Sequence, residues 1–193
     1  MSLDPYGDAA PVPGTFWRPR ESERSIYTEK RIGDESLALW EDSELPADAT
    51  VTHVTLIPYR GERAVLAWQQ GRLLLPEGDV GPAEDAEAAI KRIALEQAGI
   101  LDPTSKHLGH FRCRATVHSK TLSPGTVTYQ ALYAVEVGGL ADFPSDSAYE
   151  RRIIFQRDLN TLLRSSYVEM RREYTDSLDR WLLARLKANL REG

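Results

Sequence analysis

An α/β fold, with a mixed β-sheet clasped between helices, is what the sequence predicts, and three observations carry that reading. Segments of strand character come first, then one helix, then two longer strands, then further helices. The run "VTHVTLIPY" (51–59) is apolar at most positions and β-branched at many, as a strand buried on both faces requires. The segment from Asp85 to Gly99 carries the start and stop signals of a helix.

Residues 1–24 hold four prolines and no apolar period, so they read as an arm. Trp17 could pin that arm to the body or be an ordinary exposed aromatic. Residues 25–48 follow as a hairpin, "SIYTEKR" and "SLALWED" joined through the glycine-containing "IGDE". The main domain is placed at 49–164. "RGER" turns "VTHVTLIPY" back into "AVLAWQQ", and "GR" leads on to "LLLP". After the loop "EGDVGPAE", Asp85 is suited to the N-cap and Glu87 to the first turn. Gly99 can take the left-handed position that closes the helix. Its small aliphatic interior (Ala88, Ala89, Ile90, Ile93, Ala94, Ala98) lets it lie close to a sheet.

"HFRCRATVHS" alternates, with Phe111, Cys113, Ala115 and Val117 facing one way and His110, Arg112, Arg114 and His118 the other. It pairs with "TVTYQALYAVEV" across "KTLSPG", and "RRIIF" is a last short strand. "RDLNTLL" opens a helix. Residues 165–193 form a long amphipathic helix with Tyr174, Leu178, Trp181, Leu182 and Leu186 on one stripe.

The 193 residues, 41% of them hydrophobic, suffice for one domain with extensions. The net charge of -5 argues against a broad DNA or RNA footprint, which needs clustered Lys and Arg. A small phosphorylated ligand remains compatible with it. Cys113, the single cysteine, cannot form an internal disulfide and reads as a small buried residue. No apolar run approaches the roughly 18 residues of a membrane span, and the acidic, proline-containing start is no signal peptide. The expectation is a cytoplasmic protein.

Residues 75–100, "LPEGDVGPAEDAEAAIKRIALEQAGI", carry a spacing: Gly78, five residues, Glu84, seven residues, Arg92, then "IALEQAGI". This resembles the box of the Nudix hydrolase superfamily, in which Arg92 would be followed by Glu, an aliphatic residue, any residue, two Glu, any residue, Gly and an aliphatic residue. Gly78, Glu84, Arg92, Glu96, Gly99 and Ile100 match; Ala94 is only loosely aliphatic; Ile93 and Gln97 depart. "LLLPEG" is similar to the family's Leu-Pro-Gly-Gly run, with Glu77 for the first glycine. The resemblance covers roughly 50–160. It implies a Nudix-like α/β/α sandwich and a hydrolase acting on a nucleoside diphosphate derivative with Mg²⁺ or Mn²⁺. The N-terminal hairpin before "THVTLIPY" is also similar to that of ADP-ribose pyrophosphatases, where it helps to build a homodimer.

Helix geometry puts positions 93, 96 and 97 within an arc of about 100°, where three carboxylates would converge on cations that demand oxygen ligands. The metal would neutralise a diphosphate and position the attacking water. Here Ile93 can supply neither ligand nor base, and Gln97 offers a neutral oxygen. Glu96 either serves as the surviving catalytic and metal-binding acid or simply pairs with Arg92 at i,i+4. The resemblance implies that Glu84 and Arg92 brace the loop, with Gly78 and Gly99 as structural members, and that the backbone carbonyl of residue 77 touches a metal. Glu77, as a further metal ligand, and Glu150, as a further catalytic carboxylate, could relocate the site. The face of His110, Arg112, Arg114 and His118 is the candidate for holding phosphate, against the alternative of a solvated edge. Three readings stand: a hydrolase with a weakened metal site, a non-catalytic module binding a nucleotide, RNA end or protein partner, and dimerisation through the C-terminal helix.

Overall fold

Val51 to Arg60 sends apolar side chains to both faces, and it forms the strand around which the sheet is built. In the computed structural model, which describes residues 27–32, 35–143 and 146–192, this is β3. The strands are β1 (Lys30–Ile32), β2 (Ser36–Glu41), β3 (Val51–Arg60), β4 (Arg63–Gln69), β5 (Arg72–Leu74), β6 (Glu77–Asp79), β7 (Ile100–Leu101), β8 (Thr104–Ala115), β9 (Val127–Glu136), β10 (Gly139–Leu140) and β11 (Glu150–Phe155). The helices are α1 (Ala86–Ala98), α2 (Leu159–Ser166) and α3 (Arg171–Glu192), with a 3₁₀ turn at Gln156–Asp158 leading into α2.

Among the described residues nine strands form one sheet, in the order β1-β2-β8-β9-β3-β4-β11, with β5 on β4 and β6 on β3. The β3–β9 pair is parallel and the others antiparallel, so the sheet is mixed, as expected. The N-terminal hairpin is continuous with this sheet, because β2 pairs with β8 along Ser36–Glu41. Its Gly33 and Asp34, and the arm with Trp17, lie outside the described residues.

Alternation along β3 divides the core in two. Val54 and Leu56 face α1, meeting Ile90, Ile93 and Ala94. Ile57 faces the other way, into a cluster with Trp40, Phe111, Leu162, Tyr174 and Trp181 under α2 and α3. The result is a sheet between helix layers, the α/β/α sandwich.

The long strand departs from its expected limits. It starts at Thr104 and ends at Ala115, so Val117, 77% exposed, and His118 lie beyond it. Thr116 ends the ladder: its N–H donates to the Glu35 carbonyl and its hydroxyl accepts from the His118 N–H at 3.2 Å, a local turn that competes with the strand. On α3, Tyr174, Leu178 and Trp181 are buried as the stripe requires, whereas Leu186 is 59% exposed. The stripe outruns the surface available to cover it. Cys113 is buried and its thiol is pushed up to about 12 by desolvation, which fits a packing role.

Candidate functional site

The box begins where β6 leaves the sheet and ends at the C-terminus of α1. Asp85 caps that helix, its Oδ1 accepting the Ala88 N–H at 2.8 Å. Gly99 closes it at φ 62°, where a Cβ would stand 2.9 Å from Arg151 Nη1 and 3.0 Å from the Ala141 carbonyl oxygen. Backbone conformation and packing both demand glycine there.

Between these ends the loop is held by a fork. Arg92 Nε donates to Glu84 Oε1 at 2.8 Å and Nη2 to Oε2 at 2.7 Å, while Nη2 also reaches the Asp79 carbonyl at 2.9 Å. Glu84 Oε2 accepts the Gly81 N–H at 2.9 Å as well. The Arg92 guanidinium and this backbone donor hold the Glu84 carboxyl down at about 2. The expected brace is therefore present.

The face that should gather carboxylates is built otherwise. Ile93 is fully buried among Val54, Leu56, Ile90 and Ala94, and it fills the space beneath Gly78, where a Cβ would lie 3.2 Å from Ile93 Cδ1. Gln97 Nε2 donates to the Glu77 carbonyl at 2.7 Å and Gln97 Oε1 accepts the Glu77 N–H at 3.0 Å. Both halves of this amide are thus committed to the backbone beside Gly78. Glu96 is 57% exposed in its side chain, with Oε2 3.5 Å from Arg92 Nη1.

Glu77 and Glu150 do not converge on Glu96. The Glu77 carboxyl accepts from Thr55 Oγ1 at 3.4 Å, and Thr55 in turn accepts from Tyr174 of α3 at 3.3 Å. It points to the α3 side of the sheet, opposite to α1, and burial raises its pKa. Glu150 pairs with Arg152 at 2.8 Å on an exposed strand start. Among the described residues no three His, Cys, Asp or Glu side chains come together as a metal site. The donor set on the α1 face offers one carboxylate, already near a guanidinium. It does not fit a Mg²⁺ or Mn²⁺ centre, which needs several oxygen donors.

The candidate phosphate face comes together in part. His110 is fully buried, with Nε2 3.2 Å from Glu41 Oε2, and Arg112 Nε lies 3.1 Å from Glu41 Oε1. Arg114 stands 3.8 Å from Glu29. His118 is exposed on the turn and does not join them. The structure adds residues that the pattern did not reveal. His107 stacks on His110 with ring centroids 5.3 Å apart, Tyr133 meets His107 edge-on at 5.4 Å, and Tyr129 meets His110 at 5.3 Å. His107 sits three residues from His110, which alternation assigns to opposite faces. A register shift between His107 and Gly109 puts both on one face. Burial pushes the His107 imidazole down to about 4, with His110 nearby as a second cause, so it is neutral at pH 7.

Comparison with known proteins agrees with this fold. Over most of its length the fold is similar to that of a mutant of the Bacillus subtilis pyrophosphohydrolase BsRppH, with TM-score 0.54, 18% identity, and 77% of this chain and 96% of that one covered. It is also similar to a protein described as ADP compounds hydrolase, with TM-score 0.50, 12% identity and 84% and 94% covered. At these identities the likeness concerns the fold. No curated protein matches the sequence. The NUDIX domain matches residues 49–159, a span that holds the braced loop, the box helix and the strands on either side. With that match over more than half of its length, the chain belongs to the NUDIX domain family.

Proposed function

We propose that this chain is a Nudix-fold protein that binds a phosphorylated nucleotide-type ligand, with its box kept as a scaffold and not as a divalent-metal centre. One observation carries the reading. The loop-to-helix brace of Glu84 and Arg92 is complete, yet the face it supports presents Ile93 in the core and Gln97 hydrogen-bonded to the Glu77 backbone. A site with a single carboxylate lacks the charge to gather cations and ionise water for diphosphate cleavage.

The nucleotide class is supported by two things. The similar structures are described as a pyrophosphohydrolase and a hydrolase of ADP compounds. The second is Arg112 on β8, a guanidinium suited to phosphate, which shares Glu41 with the buried His110. ADP-ribose, dinucleoside polyphosphates and nucleoside triphosphates, each with Mg²⁺ and Mn²⁺, test the reading by calorimetry together with chromatography of the products. Binding without product is expected. Rapid product formation that Glu96→Gln abolishes would establish a hydrolase with a weakened metal site instead.

A further inference from the structure

We infer that the Gln97 carboxamide is a built-in substitute for a bridging cation. It joins β6 to α1 through its own N–H, and the exchange of that one NH₂ for an oxygen would make the joint depend on a divalent metal. The inference deepens the binding reading above, but its test uses no nucleotide.

The argument is one of donors and acceptors. Two backbone groups of Glu77, one N–H and one carbonyl, meet the side chain of residue 97. A primary amide is the one common side-chain group of this length that can answer both, donating from Nε2 and accepting at Oε1. The distances, 2.7 and 3.0 Å, show both bonds made. A carboxylate at this position could still accept the Glu77 N–H. Its second oxygen would then face the Glu77 carbonyl oxygen, two acceptors with no proton between them. Such a pair repels unless a proton, a water or a cation lies between the two oxygens, and of these only a divalent cation with oxygen ligands would make the joint sensitive to EDTA. Glu96, one residue away on the same helix, has a carboxylate exposed enough to contribute to such a site.

The neighbourhood keeps the joint in place. Ile93 Cδ1 and Gln97 Nε2 would lie 3.2 and 3.9 Å from a Cβ at Gly78, so the strand rests directly on the helix at this point. The joint is therefore short and direct, and it ties together two segments that the Glu84–Arg92 brace fixes from the other end of the loop. Gln97 is a positioning residue here: it holds the β6 backbone without taking part in any reaction.

The experiment compares the wild-type chain, Gln97→Glu and Gln97→Ala by thermal melting in excess EDTA and in millimolar Mg²⁺, Mn²⁺ or Ca²⁺. The wild type should melt at one temperature in every condition. Gln97→Glu should melt several degrees lower in EDTA and recover most of the loss with a divalent cation. Gln97→Ala should be lowered to a similar extent in EDTA and stay low with cations, since it has lost both bonds and gained no ligand. If Gln97→Glu does not fold, hydrogen exchange of the peptide spanning 75–84 in the wild type gives the answer, with equal protection expected in EDTA and in Mg²⁺. Cation-dependent protection of that peptide, Gln97→Glu melting like the wild type in EDTA, or Gln97→Glu staying low in every divalent cation would overturn the inference. Failure of every nucleotide to bind would bear on the function proposed above and leave this result as it stands.

Discussion

Arg92 and Glu84 meet through two parallel hydrogen bonds, Nε to Oε1 at 2.8 Å and Nη2 to Oε2 at 2.7 Å, across eight residues of chain. The same guanidinium reaches the Asp79 carbonyl, and the same carboxylate takes the Gly81 N–H, so one ion pair closes the loop at three points. Lysine keeps the charge but not the planar fork. Arg92→Lys should leave the fold intact while speeding hydrogen exchange at Gly81 and lowering the melting temperature by a few degrees.

Ile93 is a core residue, and its substitution should read out as stability. Ile93→Ala opens a cavity between α1 and β3 and should cost about 2–4 kcal/mol. Ile93→Glu restores the acid that the box pattern carries, yet it places a charge in an apolar pocket and should cost at least as much. Urea unfolding checks both. A gain of Mg²⁺-dependent hydrolysis by Ile93→Glu without loss of stability would show that the pocket is not apolar in solution.

Acidification should destabilise the fold through His107. Its imidazole titrates near 4 in the folded chain against an ordinary value of 6.5, so between those values the unfolded chain binds more protons. Stability linked to this residue is present above about pH 6.5 and is lost as the pH falls towards 4. Melting temperatures between pH 7 and pH 4 should fall, and His107→Gln should flatten part of that slope. Glu84 adds its own loss lower down, because its carboxyl stays ionised to about 2 when folded and is protonated below about 4.5 when unfolded.

Trp40 links the N-terminal hairpin to the sheet and to α3. It is buried, meets Phe111 edge-on at 4.8 Å and Tyr174 at 5.9 Å, and donates from Nε1 to Asp42 Oδ1 at 2.6 Å. Trp40→Ala should cost about 3–5 kcal/mol, measured by chemical denaturation. An effect below about 1 kcal/mol would mean that the hairpin is held elsewhere.

Much of this architecture was legible in the residues. Asp85, Gly99 and the aliphatic interior between them marked α1 to within a residue, because caps and periodicity are local physics. The brace was legible through the family resemblance, which implied that Glu84 and Arg92 would pair. Two things were not. Alternation counted from His110 hid His107, since a bulge changes which face a side chain takes, and Gly109 at the register shift is the mark that it left in the sequence. The Gln97 joint was equally hidden: the sequence showed a missing acid, while the amide's two bonds run to a backbone twenty residues away. The direction of the Glu77 side chain was hidden for a similar reason, because it is set by pairing with Thr55.

Manganese binding tests the scaffold reading most directly, since Mn²⁺ can be followed by its own electron paramagnetic signal during titration into the wild-type chain. With one exposed carboxylate on the α1 face and Gln97 engaged with Glu77, the free-ion signal should fall only in proportion to weak, non-saturating association, and Glu96→Gln should leave the curve unchanged. A saturable site of micromolar affinity that disappears in Glu96→Gln would contradict it.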